Sequence, residues 1–297
     1  MNQHVTILDG GMGRELLRIG APFRQPEWSA LALTEGPDRV VEAHTNFIAA
    51  GAEVITTNSY AIVPFHIGNR FAGEARELAD VSGVLARRAA DRASGGVRVA
   101  GSLPPLFGSY RPDLFIAAEA PGIIDPLIAG LTPHVDLWLA ETLGSIAEVG
   151  AVRDALDRAG APANTLPLWI SFTLDDFNFG TLRSGEPVGA AVEAAISAGA
   201  VAVLFNCSQA EAISAAIDIA VAVAGPRAQV GGYANRFVAA HSSTGEANDQ
   251  ISRFRDDLNP ADYCEFVSSW LRSGASLVGG CCGMAPEHIA ALAELTR

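Results

Sequence analysis

The chain has 297 residues, 49% of them hydrophobic and 18% charged, with a formal charge of −13. That acidic balance, with arginines scattered as in "ARRAADR" rather than massed in a stripe, argues against nucleic acid as a partner. No apolar run reaches the length of a membrane span, the start "MNQHVTILDGG" lacks the layout of a secretory signal, and four cysteines are too few for a disulfide framework, so a soluble cytoplasmic protein is expected.

In chain order, short runs rich in Val, Ile and Leu recur between glycines. They are "VTILDGG" from Val5, "AEVITTNSY" from Ala52, "VRVAGSLPP" from Val97 and "VDLWLAETL" from Val135. Four more follow: "LPLWISFTL" from Leu166, "AVAVLFNCS" from Ala200, "AQVGGYAN" from Ala228 and "ASLVGGCCG" from Ala275. Nearly continuous apolar runs suit parallel strands buried on both faces. Segments of helical composition separate them, such as "DRVVEAHTNFIAAGA" and "ADYCEFVSSWLRSGA". In "AAGAEVI", "SAGAVAV" and "RSGASLV" a glycine stands where a helix hands over to a strand, so Gly51, Gly199 and Gly274 read as left-handed helix-ending residues. Eight such units without a linker-like shift in composition predict an α/β fold, a single (β/α)8 TIM barrel domain over residues 1–297.

In that fold the functional groups stand at the C-terminal ends of the strands. There the sequence places Asp9-Gly10-Gly11, Thr57 to Tyr60, Glu141-Thr142, Asn206-Cys207, Tyr233 to Asn235, and Cys281-Cys282. Cys207 closes the sixth run and the vicinal pair the eighth. With one strand between them, their backbones should lie about 10 Å apart. Neighbouring side chains of a straight strand face opposite ways, and the glycines around Cys281-Cys282 suggest a bend that turns both sulfurs together. Three thiolates could then share one zinc ion at about 2.3 Å each, leaving a fourth position open for exchange. The bland alternatives are core cysteines and a strained vicinal disulfide, which a reducing compartment disfavours. Cys264, inside a helix without chemical neighbours, reads as structural. His44, His66, His134, His241 and His288 show no metal-type pairing. A soft, open zinc site suits a substrate thiol as incoming ligand, and coordination would make that thiol a nucleophile at neutral pH.

Together, "DGGMGREL" at Asp9, "AGAEVITTNSY" at Ala50, "ET" at Glu141, "FNC" at Phe205 and "GGCCG" at Gly279 resemble the homocysteine S-methyltransferase family. The resemblance runs from the first strand to the last helix, and "GGCCG" with an upstream "NC" is its most specific element. It implies that Cys207, Cys281 and Cys282 hold zinc, that zinc holds the homocysteine thiolate, and that Glu141 and the Asp9-Gly10-Gly11 turn grip the amino-acid end. A rim acid at Glu141 and a turn-forming Asp9 are the structural alternatives. The partners implied are small molecules, homocysteine and a methyl donor, and the product is methionine; homo-oligomerisation is left open.

The segments "GSLPPLFGSYRPDLF", "GGYANRF" and the long polar loop up to Asn259 depart from the family pattern and would face the donor. A sulfonium donor, S-methylmethionine or S-adenosylmethionine, is favoured for its neutral leaving group. Betaine or dimethylsulfoniopropionate comes next, and methylfolate is disfavoured by the lack of a second domain. Tyr60, Phe107, Tyr110 and Tyr233 are candidate faces for an onium group. The competing readings are methylation of another thiol or of a selenol such as selenocysteine, and a non-enzymatic zinc or thiol redox sensor.

Overall fold

The computed structural model describes residues 4–239 and 254–297. Eight parallel strands follow the expected runs: β1 (Thr6–Ile7), β2 (Val54–Thr56), β3 (Arg98–Leu103), β4 (Leu137–Leu143), β5 (Leu168–Phe172), β6 (Ala200–Asn206), β7 (Gln229–Tyr233) and β8 (Leu277–Val278). Their order is β1-β8-β7-β6-β5-β4-β3-β2. A parallel bridge between Leu8 and Val54 joins the two ends of the sheet. The Asp9 N–H donates to the Val54 carbonyl at 3.0 Å across that seam. The result is an α/β barrel of the TIM type, with helices between the strands.

The apolar runs are continuous because each strand has two buried faces. All seven residues of β4 are buried. Leu137 and Leu139 point into the barrel with Leu8, Val54, Trp169 and Leu204, whereas Trp138 and Ala140 pack outward under the helices. The predicted helix-ending glycines adopt positive φ, +109° at Gly51, +85° at Gly199 and +109° at Gly274, a conformation that costs glycine little. The first and last strands are much shorter than their apolar runs, because the chain turns out of the sheet just where the site begins. Between β1 and β2 the connection is elaborated: helices Met12–Arg18 and Leu31–Glu35 precede the expected helix Pro37–Ala49, and the stretch between the first two supplies Trp28 to the mouth of the barrel.

Candidate active site

A cavity of about 200 Å³ opens at the C-terminal ends of the strands, lined by Asp9, Gly10, Gly11, Glu141, Cys207, Cys281 and Cys282 among others. That is smaller than the roughly 300–1,000 Å³ of pockets for drug-sized ligands and suits molecules of amino-acid size. All the site residues expected from the sequence therefore meet in one place. Of the four aromatic candidates, Tyr60, Tyr110 and Tyr233 line the cavity, while Phe107 packs edge-on against Phe115 at 5.8 Å.

The end of β7 and the residues just after it bring the sulfurs together. The Cys207 N–H donates to the Tyr233 carbonyl at 3.3 Å on one side. On the other, the Cys281 N–H donates to the Ala234 carbonyl at 2.9 Å, and the Arg236 N–H to the Cys282 carbonyl at 2.8 Å. One extended segment thus fixes both cysteine-bearing turns. The Tyr263 hydroxyl braces the same spot, donating to the Gly279 carbonyl at 2.7 Å and accepting from the Ala234 N–H at 3.1 Å. Cys207 Sγ lies 2.7 Å from Cys281 Sγ and 3.6 Å from Cys282 Sγ, and all three sulfurs fall within 4.8 Å of one another. Sulfurs around a tetrahedral zinc with bonds of about 2.3 Å stand about 3.8 Å apart. Cys207 and Cys282 stand near that spacing and Cys207 and Cys281 would part by about 1 Å around an ion; three soft donors converging on an open cavity fit a thiolate-bound metal with one exchangeable position. Hydrogen bonds from the Cys281 and Cys282 thiols hold Cys207 well below the usual thiol range. Their bonding to Cys207 and its charge push Cys281 and Cys282 up. Cys264 lies on helix Pro260–Ser273, half-buried against the core and outside this cluster.

The glycines of the cysteine turn act differently from the expectation. Only Gly283 takes the left-handed conformation, with φ +84°. Gly279 and Gly280 are needed for close approach: a Cβ on Gly279 would stand 2.7 Å from Leu8 Cβ, and one on Gly280 would collide with Met284 Cβ. The bend comes from Gly283, and the room for it from the other two. Across the cavity floor, a Cβ on Gly11 would stand 2.7 Å from the Cys281 carbonyl oxygen, so the two glycine-rich turns pack backbone to backbone.

Glu141 projects from β4 and is 9% exposed. Its Oε1 accepts from Ser102 Oγ at 2.5 Å and its Oε2 from the Tyr233 hydroxyl at 3.2 Å. Burial pushes its carboxyl up to about 7 against these hydrogen bonds. Asp9 accepts from the Thr56 N–H at 2.7 Å and from Thr56 Oγ1 at 3.1 Å. It therefore clamps β1 to β2 rather than capping its own turn, and burial raises it to about 8. The backbone cradle expected at Asp9-Gly10-Gly11 is partly committed. The Asp9 N–H bonds Val54 and the Gly11 N–H donates to the Met284 carbonyl at 2.9 Å, so of the three only the Gly10 N–H has no backbone acceptor among the described residues.

Trp28 carried no signal in the sequence, nor did the backbone strain that it shares with three of the expected residues. Trp28, Tyr110, Thr142 and Cys207 all line the cavity, and they are the non-glycine residues with positive φ among the described residues. Backbone strain of this kind concentrates at functional sites because the surroundings must enforce it. The enforcing group for Thr142 is Asn206: its Oδ1 accepts from the Thr142 N–H at 2.9 Å and its Nδ2 donates to Thr142 Oγ1 at 2.8 Å. Asp176, Arg183 and Gln209, in the segments after β5 and β6, complete one wall. Of the long loop between Asn235 and Asn259, Phe237, Val238 and Ala239 reach the cavity; residues 240–253, with His241, lie outside the described residues.

The profile of the family described as homocysteine S-methyltransferase matches residues 6–296. The chain is 30% identical to the homocysteine S-methyltransferase of Escherichia coli, over 98% of this chain and 94% of that one. It is 27% identical to the selenocysteine methyltransferase of Astragalus bisulcatus, over 96% and 90% of the two chains. The metallated form of the homocysteine methyltransferase MmuM from Escherichia coli superposes with a TM-score of 0.79 at 27% identity, covering 98% of this chain and 96% of that one. A match that spans nearly every strand and helix, on a fold and a cluster of cysteines reached independently from the residues, leads to one conclusion: the chain belongs to the homocysteine S-methyltransferase family.

Proposed function

We propose that the chain transfers a methyl group from an onium donor to the sulfur of L-homocysteine, giving methionine, as a single barrel domain with zinc as its metal. The observation that carries this is the meeting of three sulfurs and two buried carboxylates in one small cavity, in a chain of this family. Cys207, Cys281 and Cys282 would hold the ion. When bound, zinc lowers the pKa of an incoming thiol so that it is a thiolate at neutral pH.

The chain's own groups do the positioning. Burial leaves Glu141 and Asp9 short of a counter-charge, and the ammonium group of an amino-acid substrate supplies one. The Gly10 N–H faces the carboxylate end. Trp28, Tyr60, Tyr110 and Phe237 wall the cavity, excluding water and offering aromatic faces to a cationic donor. The substrate thiolate forms the new carbon–sulfur bond with its lone pair. The donor's bond to the same methyl breaks in line, and its electron pair leaves with a neutral thioether or amine.

S-methylmethionine or S-adenosylmethionine is the favoured donor, over betaine because a thioether is a better leaving group than an amine; dimethylsulfoniopropionate, itself a sulfonium, stands beside betaine as the alternative. The similarity to a selenocysteine methyltransferase makes a selenol the second acceptor to try. The cytoplasm is the expected setting, where three clustered thiols stay reduced.

The test is a donor panel with homocysteine on zinc-loaded protein, read as methionine by mass spectrometry. Cys282→Ala should lose zinc and turnover together while its circular dichroism stays that of the parent. Full turnover by metal-free protein would end the proposal. Zinc exchange without turnover from any donor would favour the sensor instead.

A further inference from the structure

Arg183 is a half-buried cation that the chemistry above leaves without a task. It lies in the segment after β5, which short antiparallel bridges Leu174–Leu182 and Thr181–Pro187 fold back on itself. Its guanidinium stacks 4.9 Å above the Tyr110 ring, and Tyr110 lines the same cavity as Cys207, Cys281 and Cys282. The cation, the ring and the sulfurs therefore share one cavity. The only ion pair formed by Arg183 among the described residues is with Asp176, Nη2 to Oδ2 at 2.8 Å. That pair is single-toothed because Asp176 Oδ1 is taken by the Gln209 N–H at 2.8 Å. Arg183 Nε is buried and has no acceptor among the described residues. A guanidinium whose fork is only partly used is matched in shape and charge by a second carboxylate. The other arginine at the cavity, Arg14, is committed differently, its guanidinium lying 5.6 Å from the Phe237 ring and 5.0 Å from the Phe254 ring.

We propose that Arg183 binds the carboxylate of the methyl donor, so that the site selects onium donors that carry a carboxylate, with the methyl-bearing centre turned toward the sulfurs along the Tyr110 face. This rests on the methyl-transfer reading above. It divides the labour in the cavity: Glu141 and Asp9 take the ammonium of the acceptor, and Arg183 takes the anionic end of the donor.

The experiment compares S-methylmethionine with trimethylsulfonium, which has the same kind of methyl–sulfur bond and no carboxylate. Zinc-loaded parent and Arg183→Gln are assayed with homocysteine, and binding of each donor is measured separately by calorimetry. The ratio of kcat/KM for S-methylmethionine to that for trimethylsulfonium should fall about 10- to 100-fold in the variant, as loss of a charge-assisted hydrogen bond predicts. The calorimetric Kd for S-methylmethionine should rise by a similar factor, with the homocysteine KM moving less than about threefold. Because Arg183→Gln strands the Asp176 carboxylate, the double variant Asp176→Asn/Arg183→Gln, which removes both charges of the pair, should show the same donor split. Equal losses with both donors, an unchanged ratio, or a shift confined to homocysteine would overturn the assignment. Arg183-dependent binding of S-methylmethionine without methyl transfer would uphold the assignment and sink the reading beneath it.

Discussion

Glu141 illustrates how much one residue's setting decides. Held by Ser102 and Tyr233 inside the barrel, its carboxyl is pushed by burial up to about 7, so it is half-protonated near neutrality and gains a full charge only above that. The sign of the pH effect follows. Above about 7 the carboxylate can pair with an ammonium, and below it the group is as neutral as a glutamine. Glu141→Gln should therefore weaken homocysteine binding about 10- to 100-fold at pH 8, and by much less at pH 6. Calorimetric titration of homocysteine at the two pH values checks this; an equal loss at both would mean that Glu141 acts through shape alone. The sequence showed an acid at a strand end. Its ionisation depended first on burial in the closed barrel, and then on Ser102 and Tyr233, which come from other strands.

At the scale of elements, the turn after β8 works by tight packing. Gly280→Ala would press a methyl into Met284, and overpacking of this kind costs about 1–3 kcal/mol. Because the adjacent residues are Cys281 and Cys282, the same variant should weaken zinc binding about tenfold or more, as displaced supporting groups do at metal sites. Urea unfolding and competition with a chelating dye measure the two effects. Gly122→Ala, in helix Ala120–Leu131 where a Cβ meets nothing within 4 Å, serves as the control and should stabilise by about 0.5–1 kcal/mol. A Gly280→Ala protein with native stability and zinc affinity would show that the turn tolerates a shift. The recurring, nearly continuous apolar runs announced these strands, and Gly51, Gly199 and Gly274 sat where helices end. Which glycines were spacers and which were benders could not be read from the string, because that depends on Leu8 and Met284 arriving from elsewhere.

For the whole molecule, one buried histidine sets an acid limit. His44, in helix Pro37–Ala49, is buried, and both its ring nitrogens lack a hydrogen-bond partner among the described residues. Burial pulls it from the ordinary 6.5 down to about 3. Between those values the unfolded chain binds a proton that the folded chain refuses, so stability falls as pH drops through this window and is complete above it. At pH 5 the loss from this one group is about 2 kcal/mol. His44→Leu should therefore flatten the stability profile between pH 8 and pH 5, measured by urea unfolding at both. An unchanged slope would assign the acid sensitivity to other groups.

The amino-acid string alone determined the barrel, the end of it that carries polar chemistry, and the two strand ends that bear Cys207 and the Cys281-Cys282 pair, since these follow from period, strand count and residue type. Only the tertiary structure decided that one segment after β7 clamps both cysteine turns. It also decided that Asp9 is spent partly on Thr56, and that Trp28, Asp176 and Arg183 belong to the cavity. Those residues lie in connections with no periodicity to betray them. Their roles arise from contacts between positions far apart in sequence, which exist only once the eight strands have closed.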